Sequence, residues 1–309
     1  MKILLCVLCT LCLFTGCKSS LNQIHIYVRD PASGTREAFE NGIFLEKVSD
    51  EAIETSSNDD MVQQLQKDIN GIGYISFESD VTKHQLKVLT YDGIEATKTN
   101  ILNGTYPLKR PFAFITRSAN DFEHNDKEQL ICAFIDYLMY SSEAKLSITK
   151  HGGIVDLQQG IPWEQFVKKY PVLQKDNSHI TIVTAGSTSV EPTLRACLQS
   201  FSPLAGNVSF VMNHSGSSDA YKRVLGKEKD GPNKADIGFV SRLWKENENQ
   251  RYKALLEGIY CYDAILLVTH QDNKINDLSK EQVQKIYNGT YQQWKEIYED
   301  RKVQTSTTN

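Results

Sequence analysis

Twice along this chain a short apolar strand runs through a turn of Ser, Thr and Gly straight into a helix. In the first copy Ile24, Ile26 and Val28 alternate with His25 and Tyr27, the two-residue period of a strand. Arg29-Asp30-Pro31-Ala32-Ser33-Gly34-Thr35 follows, and Arg36-Glu37-Ala38-Phe39 opens a helical stretch. In the second copy 180–183 (ITIV) is the strand and Gly186-Ser187-Thr188-Ser189 the turn. The helix is 191–201, with Leu194, Cys197, Leu198 and Phe201 along one face. Strand and helix in alternation predict an α/β fold.

Other segments echo one another at long distance. Ile72-Gly73-Tyr74-Ile75-Ser76 matches Ile237-Gly238-Phe239-Val240-Ser241, and Asn103-Gly104-Thr105-Tyr106 matches Asn288-Gly289-Thr290-Tyr291. Apolar strands at 112–116 and 264–269 each follow a short polar stretch. Spacing this long predicts two similar α/β lobes rather than a short-period solenoid. A long helix is expected over 127–148, on Leu130, Ile131, Phe134, Ile135, Leu138 and Met139, with Gly152-Gly153 as its stop. Residues 154–178, with Gly160, Pro162 and Pro171, read as a connector holding a short helix at 163–169.

The N-terminus carries Lys2, then the apolar run ILLCVLCTLCLF, then Thr15-Gly16-Cys17. One positive charge, a short apolar run and small residues make secretory signal chemistry. The run is the one long apolar stretch in the chain and is short for a membrane span, which excludes a multi-span membrane protein. Phe14-Thr15-Gly16-Cys17 resembles a bacterial lipobox, in which Cys17 is lipidated and becomes the first mature residue; an uncleaved signal anchor is the alternative. The expected division is a signal peptide at 1–16 and a linker at 17–23. Loss of Lys2 takes the net charge from −4 to −5, and no stretch is basic enough to track a nucleic-acid backbone. Cys17, Cys132, Cys197 and Cys261 would remain. With Cys17 acylated at most one disulfide is possible, and the spacings match no metal motif. Cys132 and Cys197 lie in apolar helical stretches and read as small buried hydrophobes.

A turn of Ser, Thr and Gly at a helix start exposes free backbone N–H groups where the helix dipole is positive. The hydroxyls add donors on short stems, and glycine lets a ligand approach the backbone. One such turn alone is an ordinary N-cap. Two of them, with Arg29 at a strand end able to fork onto two anionic oxygens, can enclose a small oxyanion. The cleft motifs are rich in hydroxyls, which favours a small anion over a sugar.

Arg29-Asp30-Pro31-Ala32-Ser33-Gly34-Thr35-Arg36 resembles the R-x-x-x-S-G-T signature of the phosphate-binding component of bacterial phosphate ABC importers. Gly186-Ser187-Thr188-Ser189-Val190-Glu191-Pro192 resembles that family's opening G-S-T/S-V-x-P motif. Gly216-Ser217-Ser218, Ala235–Arg242 and Trp294-Lys295-Glu296-Ile297 resemble further segments, so the likeness spans nearly the whole chain after the leader. The order differs: in the family the G-S-T-S-V half comes first, whereas here the S-G-T half follows the signal. That looks like a circular permutation, with 154–178 joining the old ends, or a fragment of a tandem gene.

The resemblance implies a type II periplasmic-binding-protein-like fold, two α/β lobes with the ligand in the cleft between them. Carried onto this order it gives one lobe from 24–115 plus 271–309 and another from 116–270, with strands near 112–116 and 264–270 as hinges. It further implies Arg29, Ser33, Gly34 and Thr35 as contacts from one lobe, and Thr188, Ser189, Ser217 and Ser241 from the other, with Ser187 as an extra donor. Inorganic phosphate, or a similar tetrahedral oxyanion, is the implied ligand. An ABC permease is the implied partner of a lipid-anchored monomer outside the cytoplasm, without nucleic acid, cofactor or metal. Some relatives carry an aspartate at the position of Ser241, which accepts the proton of hydrogen phosphate and rejects sulfate. Asp30, Asp219 and Asp236 are the nearby substitutes.

Two competing functions make different demands on the residues. A phosphate-ester hydrolase wants a metal cluster or a nucleophile with a base. The seven histidines show no H-x-x-x-H or H-x-H spacing, and no G-x-S-x-G elbow or P-loop is present. His214, near Ser217, reads as structural. An oxyanion-sensing or adhesion protein without transport would carry the same motifs.

Overall fold

The computed structural model describes residues 23–306 apart from Ala32, Glu78, Asp80, Thr82 and Lys83, with side chains through Asp300. The expected leader and Cys17 lie outside the described residues. From the N-terminus the chain forms β1 (His25–Arg29), α1 (Gly34–Gly42), β2 (Ile53–Thr55), α2 (Asn58–Leu65) and β3 (Gly71–Ser76). It continues through β4 (Leu86–Val88), β5 (Thr90–Tyr91), α3 (Lys98–Leu102) and β6 (Lys109–Thr116). The middle of the chain gives α4 (Asn125–Tyr140), α5 (Ser142–Lys150), α6 (Glu164–Val167), β7 (Thr181–Gly186) and α7 (Glu191–Phe201). Then come β8 (Ser209–His214), α8 (Ser217–Val224), β9 (Ile237–Val240) and β10 (Glu257–His270). The chain closes with β11 (Asp277–Leu278), α9 (Lys280–Tyr287) and α10 (Trp294–Ser306).

Nine strands join in the order β2-β1-β3-β10-β6-β9-β7-β8, with β4 also on β10. The order reads the same from both edges. β1 lies parallel between β2 and β3, as β7 lies parallel between β8 and β9. The antiparallel strands β10 and β6 run between these two halves. β10 spans 14 residues: its early part pairs with β6 and its later part with β3 and β4. Two main cores result. Phe112, Phe114, Tyr260 and Cys261 pack in one, and Leu108, Ala264 and Ile265 in the other. The chain therefore passes from lobe to lobe inside β6 and β10. Both carry apolar runs, as strands buried on both faces require.

The expected long helix is two helices. Tyr140 ends α4, and Ser141 takes an extended conformation (φ −73°, ψ 141°) while its hydroxyl accepts the Ala144 N–H at 3.0 Å to cap α5. The apolar period runs on through the break because both helices bury a face in the same core. The short helix of the connector is α6. The start of the described chain meets the segment just before α10: Ile24 N–H donates to Gln292 O at 2.8 Å, and Gln23 bridges Gln293.

Candidate functional site

β1 delivers Arg29 at its C-terminal end, and the turn after it starts α1. Ser33 is the N-cap: its hydroxyl oxygen accepts from Arg36 N–H at 3.3 Å, and its carbonyl accepts from Glu37 N–H. Gly34 and Thr35, the first helical residues, are buried. A Cβ on Gly34 would lie 3.0 Å from the hydroxyl oxygens of Ser187, Ser189 and Ser241. The first turn therefore faces the second at contact distance.

The second turn is built on Gly186. Its φ of +123° suits glycine, and a Cβ there would lie 2.0 Å from the Phe239 carbonyl. The close approach lets Ser187 N–H donate to that carbonyl at 2.8 Å. Ser187 Oγ accepts from Ser189 N–H at 3.2 Å and lies 2.8 Å from Ser241 Oγ, so the hydroxyls of β7's turn and β9's end form a pair. Gly186 O accepts from Ser215 and Gly216 N–H, which draws the start of α8 alongside. There Ser217 Oγ accepts from Ser241 N–H at 3.3 Å. His214 braces the turn from behind. Its Nδ1 lies 2.8 Å from Ser187 O, and its Nε2 lies 2.9 Å from Thr184 Oγ1. A carbonyl only accepts, so Nδ1 donates and Nε2 takes the Thr184 hydroxyl proton. Burial holds the imidazole below its ordinary pKa, consistent with that neutral form.

Between the turns lies a cavity of about 250 Å³, whose lining includes Arg29, Ser33, Thr35, Arg110, Thr188 and Ser189. Ser187, Ser217 and Ser241 are buried beside it and are not among its lining residues. Ser33 and Ser217 also line an adjoining depression of about 460 Å³. Arg29 is held by Asn58 Oδ1 at 2.9 Å and Asp30 Oδ2 at 3.2 Å, and its buried Nε has no hydrogen-bond partner. All nine expected contact residues thus gather around one cleft.

Arg110, Ser76 and Asn58 belong to the same walls, and Asp263 stands behind them. Arg110, on β6, and Asp263, on β10, are cross-strand partners, 4% and 2% exposed. Arg110 Nε and Nη2 donate to Asp263 Oδ2 at 2.8 and 2.5 Å. The same guanidinium reaches Gly34 O at 3.1 Å and Thr35 Oγ1 at 3.3 Å. Ser76, at the end of β3, donates to Asp263 Oδ2 at 2.9 Å. Asn58 starts α2 and orients Arg29. The charge inside the strand KRPFAFIT and the Asp in CYDAILL were the available signals, and both read as ordinary strand residues alone.

The three nearby aspartates have other partners. Asp236 is buried, and its Oδ2 accepts from Val183 N–H at 2.8 Å and pairs with Lys127 at 2.9 Å, fixing β9 to β7. Asp219 hydrogen-bonds Ser215 Oγ and pairs with Lys222. Asp30 pairs with Arg29. Cys132, Cys197 and Cys261 are free thiols, and burial raises the pKa of Cys132 to about 11 and that of Cys197 to about 12. Among the described residues no group of three His, Cys, Asp or Glu side chains could hold a metal ion, and no helix is long and apolar enough to cross a membrane.

The sequence pattern described as a PBP superfamily domain matches residues 19–143 and 173–308. The stretch it skips includes most of the 154–178 connector. Phosphate-binding protein PstS 2 of Streptococcus agalactiae is 30% identical over 289 residues, 90% of this chain and 89% of that protein. Phosphate-binding protein PstS 2 of Streptococcus pneumoniae is 28% identical over 293 residues, 91% of this chain and 89% of that protein. The crystal structure of a phosphate-binding protein of a phosphate ABC transporter from Streptococcus pneumoniae superposes with a TM-score of 0.72 at 25% identity. That superposition covers 89% of this chain and 99% of that one.

Proposed function

This chain belongs to the PBP superfamily and, within it, to the phosphate-binding proteins, and from that membership we propose that it captures inorganic phosphate outside the cytoplasm and delivers it to an ABC permease. The observation that carries the reading is the cavity of about 250 Å³ between two hydroxyl-lined helix starts, with Arg29 at its wall. Ser33, Thr35, Thr188 and Ser189 offer hydroxyl donors from both sides. Ser187, Ser217 and Ser241 support the second turn and complete the donor set. A small multivalent anion is the ligand such a cavity fits, because dipoles and hydroxyls solvate it on all sides with few formal charges.

Capture works by closure. Each lobe alone holds only part of the donor set, so the ligand binds the apposed arrangement better than any splayed one and shifts the population toward it. We take the lobes as the expected 24–115 with 271–309 against 116–270, with the crossings drawn inward by the two cores to between Leu108 and Phe112 in β6 and between Cys261 and Ala264 in β10, the two shared hinges. We read the chain order as a circular permutation of the order in which the G-S-T-S-V half comes first, an idea supported by the contact between Ile24 and Gln292; the PstS 2 relatives, aligned in one stretch over about nine-tenths of both chains, share the order found here. Cys17, by its lipobox-like context, is the proposed lipid anchor, and mass spectrometry of the N-terminal peptide from bacterial membranes tests it. Calorimetric titration with phosphate tests the function. Saturable binding with one site per chain is expected; a folded chain with no heat at millimolar phosphate would overturn it.

A further inference from the structure

Hydroxyls from both lobes of this site are preset to give their hydrogen away. Ser33 and Ser217 already accept a backbone N–H, and Thr35 already accepts from Arg110. Each therefore has its own hydrogen left for a ligand oxygen. Ser76 is the exception. Its hydrogen goes to Asp263 Oδ2, a carboxylate oxygen that also takes two guanidinium N–H groups and has none to return. Ser76 Oγ is left with lone pairs only. Ser76 is 4% exposed and lines the cavity between the two turns. Asp263 is not among the residues lining the cavity, so the carboxylate's influence on it runs through Ser76 and Arg110, which are.

We propose that Ser76 is the specificity-determining acceptor of this site, oriented by Asp263, and that it takes the hydrogen of a protonated oxyanion such as hydrogen phosphate. Phosphate carries at least one hydrogen at neutral pH and sulfate carries none. A cavity made only of donors would not tell them apart. Ser76 ends the strand whose IGYIS sequence echoes the IGFVS that ends in Ser241, so the acceptor sits in the first lobe at the position equivalent to a serine of the second. Arg110 ties the arrangement together, because one guanidinium holds both the acceptor's carboxylate and the Thr35 donor.

This inference rests on the phosphate-capture reading, and the test separates the two. Calorimetry on the full chain at one pH near neutral compares phosphate, sulfate and monofluorophosphate, the last a phosphate analogue without the hydrogen in its dianion. The wild-type chain is expected to prefer phosphate over both. Ser76→Ala, which fits a fully buried strand end, is expected to lower phosphate affinity about tenfold, the scale of one lost hydrogen bond to a charged group. Its sulfate and monofluorophosphate affinities should stay within about twofold on the same scale. Ser33→Ala, which removes a donor, is expected to weaken all three anions together. Parallel loss of all anions in Ser76→Ala, or no loss at all, overturns the proposal, as does a wild type that binds sulfate as tightly as phosphate. A wild type that binds none of the three overturns the capture reading and this inference with it.

Discussion

The two lobes present the same kind of turn to the same cavity, yet only one brings charge. Arg29 and Arg110 stand with the α1 turn, whereas the α7 side contributes Thr188, Ser189 and Pro192. The asymmetry divides the work. The charged side is suited to attracting and orienting an anion, through long-range attraction and through a fork geometry. The neutral side has only short-range donors and acts when the lobes meet. The two glycines differ in the same sense. Gly186 is required by its own lobe, because a Cβ would strike Phe239 O at 2.0 Å, while Gly34 is required by the other lobe's hydroxyls at 3.0 Å.

Substitutions on either side can break that contrast. Arg29→Ala is expected to weaken phosphate binding by about 2–5 kcal/mol, as for a buried charge partner. Thr188→Ala should cost about 0.5–1.5 kcal/mol, as for one neutral hydrogen bond; equal losses in calorimetry would erase the division of labour. Gly186→Ala should destabilise the fold itself by about 2–4 kcal/mol, from a strained φ and a backbone collision, read as a lowered denaturation midpoint. Gly34→Ala sharpens the point: its denaturation midpoint should stay near wild type while affinity drops by about 1–2 kcal/mol, the scale of local overpacking.

Smaller effects probe how the lobes hold each other. Glu37, in the first turn of α1, pairs across the cleft with Arg242 at 3.3 Å and Lys245 at 3.0 Å. Arg242 is otherwise paired with Glu248 at 2.8 Å, so it keeps a partner when Glu37 is lost. Glu37→Gln should shift affinity by about 0.2–1 kcal/mol and less in high salt. His214 gives a pH test on the neutral side alone. Its pKa is depressed by burial in the folded chain, so the unfolded chain binds that proton more readily. Stability should therefore fall as pH drops through the ordinary histidine range, about 6.5, and return as pH rises. His214→Gln should flatten that part of the melting-temperature profile.

Local chemistry made the two turns legible. A strand, a run of Ser, Thr and Gly, and a helix are contiguous in the chain, so Ser33 and Ser187 announce themselves as caps. Arg110 and Asp263 meet only because β6 and β10 pair, and nothing near either residue names the other. The helix break at Ser141 was hidden by an apolar period that both helices share. The echo of 103–106 in 288–291 had a different origin from the one between lobes. Both segments end helices in the first lobe, through Gly104 and Gly289 at φ +80° and +82°. Thr105 and Thr290 N–H groups donate to Asn103 and Asn288 Oδ1 in the same way. The repeat is one of helix termination, not of lobe architecture.

The pairing of Arg110 with Asp263 has a mechanical side. These two residues bridge the very strands that must flex for the cleft to gape, and the same guanidinium grips the first turn of α1. Any bend of the strands is thereby felt at the ligand's seat, and an ion lodged there stiffens the strands in return. The swing between wide and shut should then be abrupt rather than gradual, with few stable positions in between.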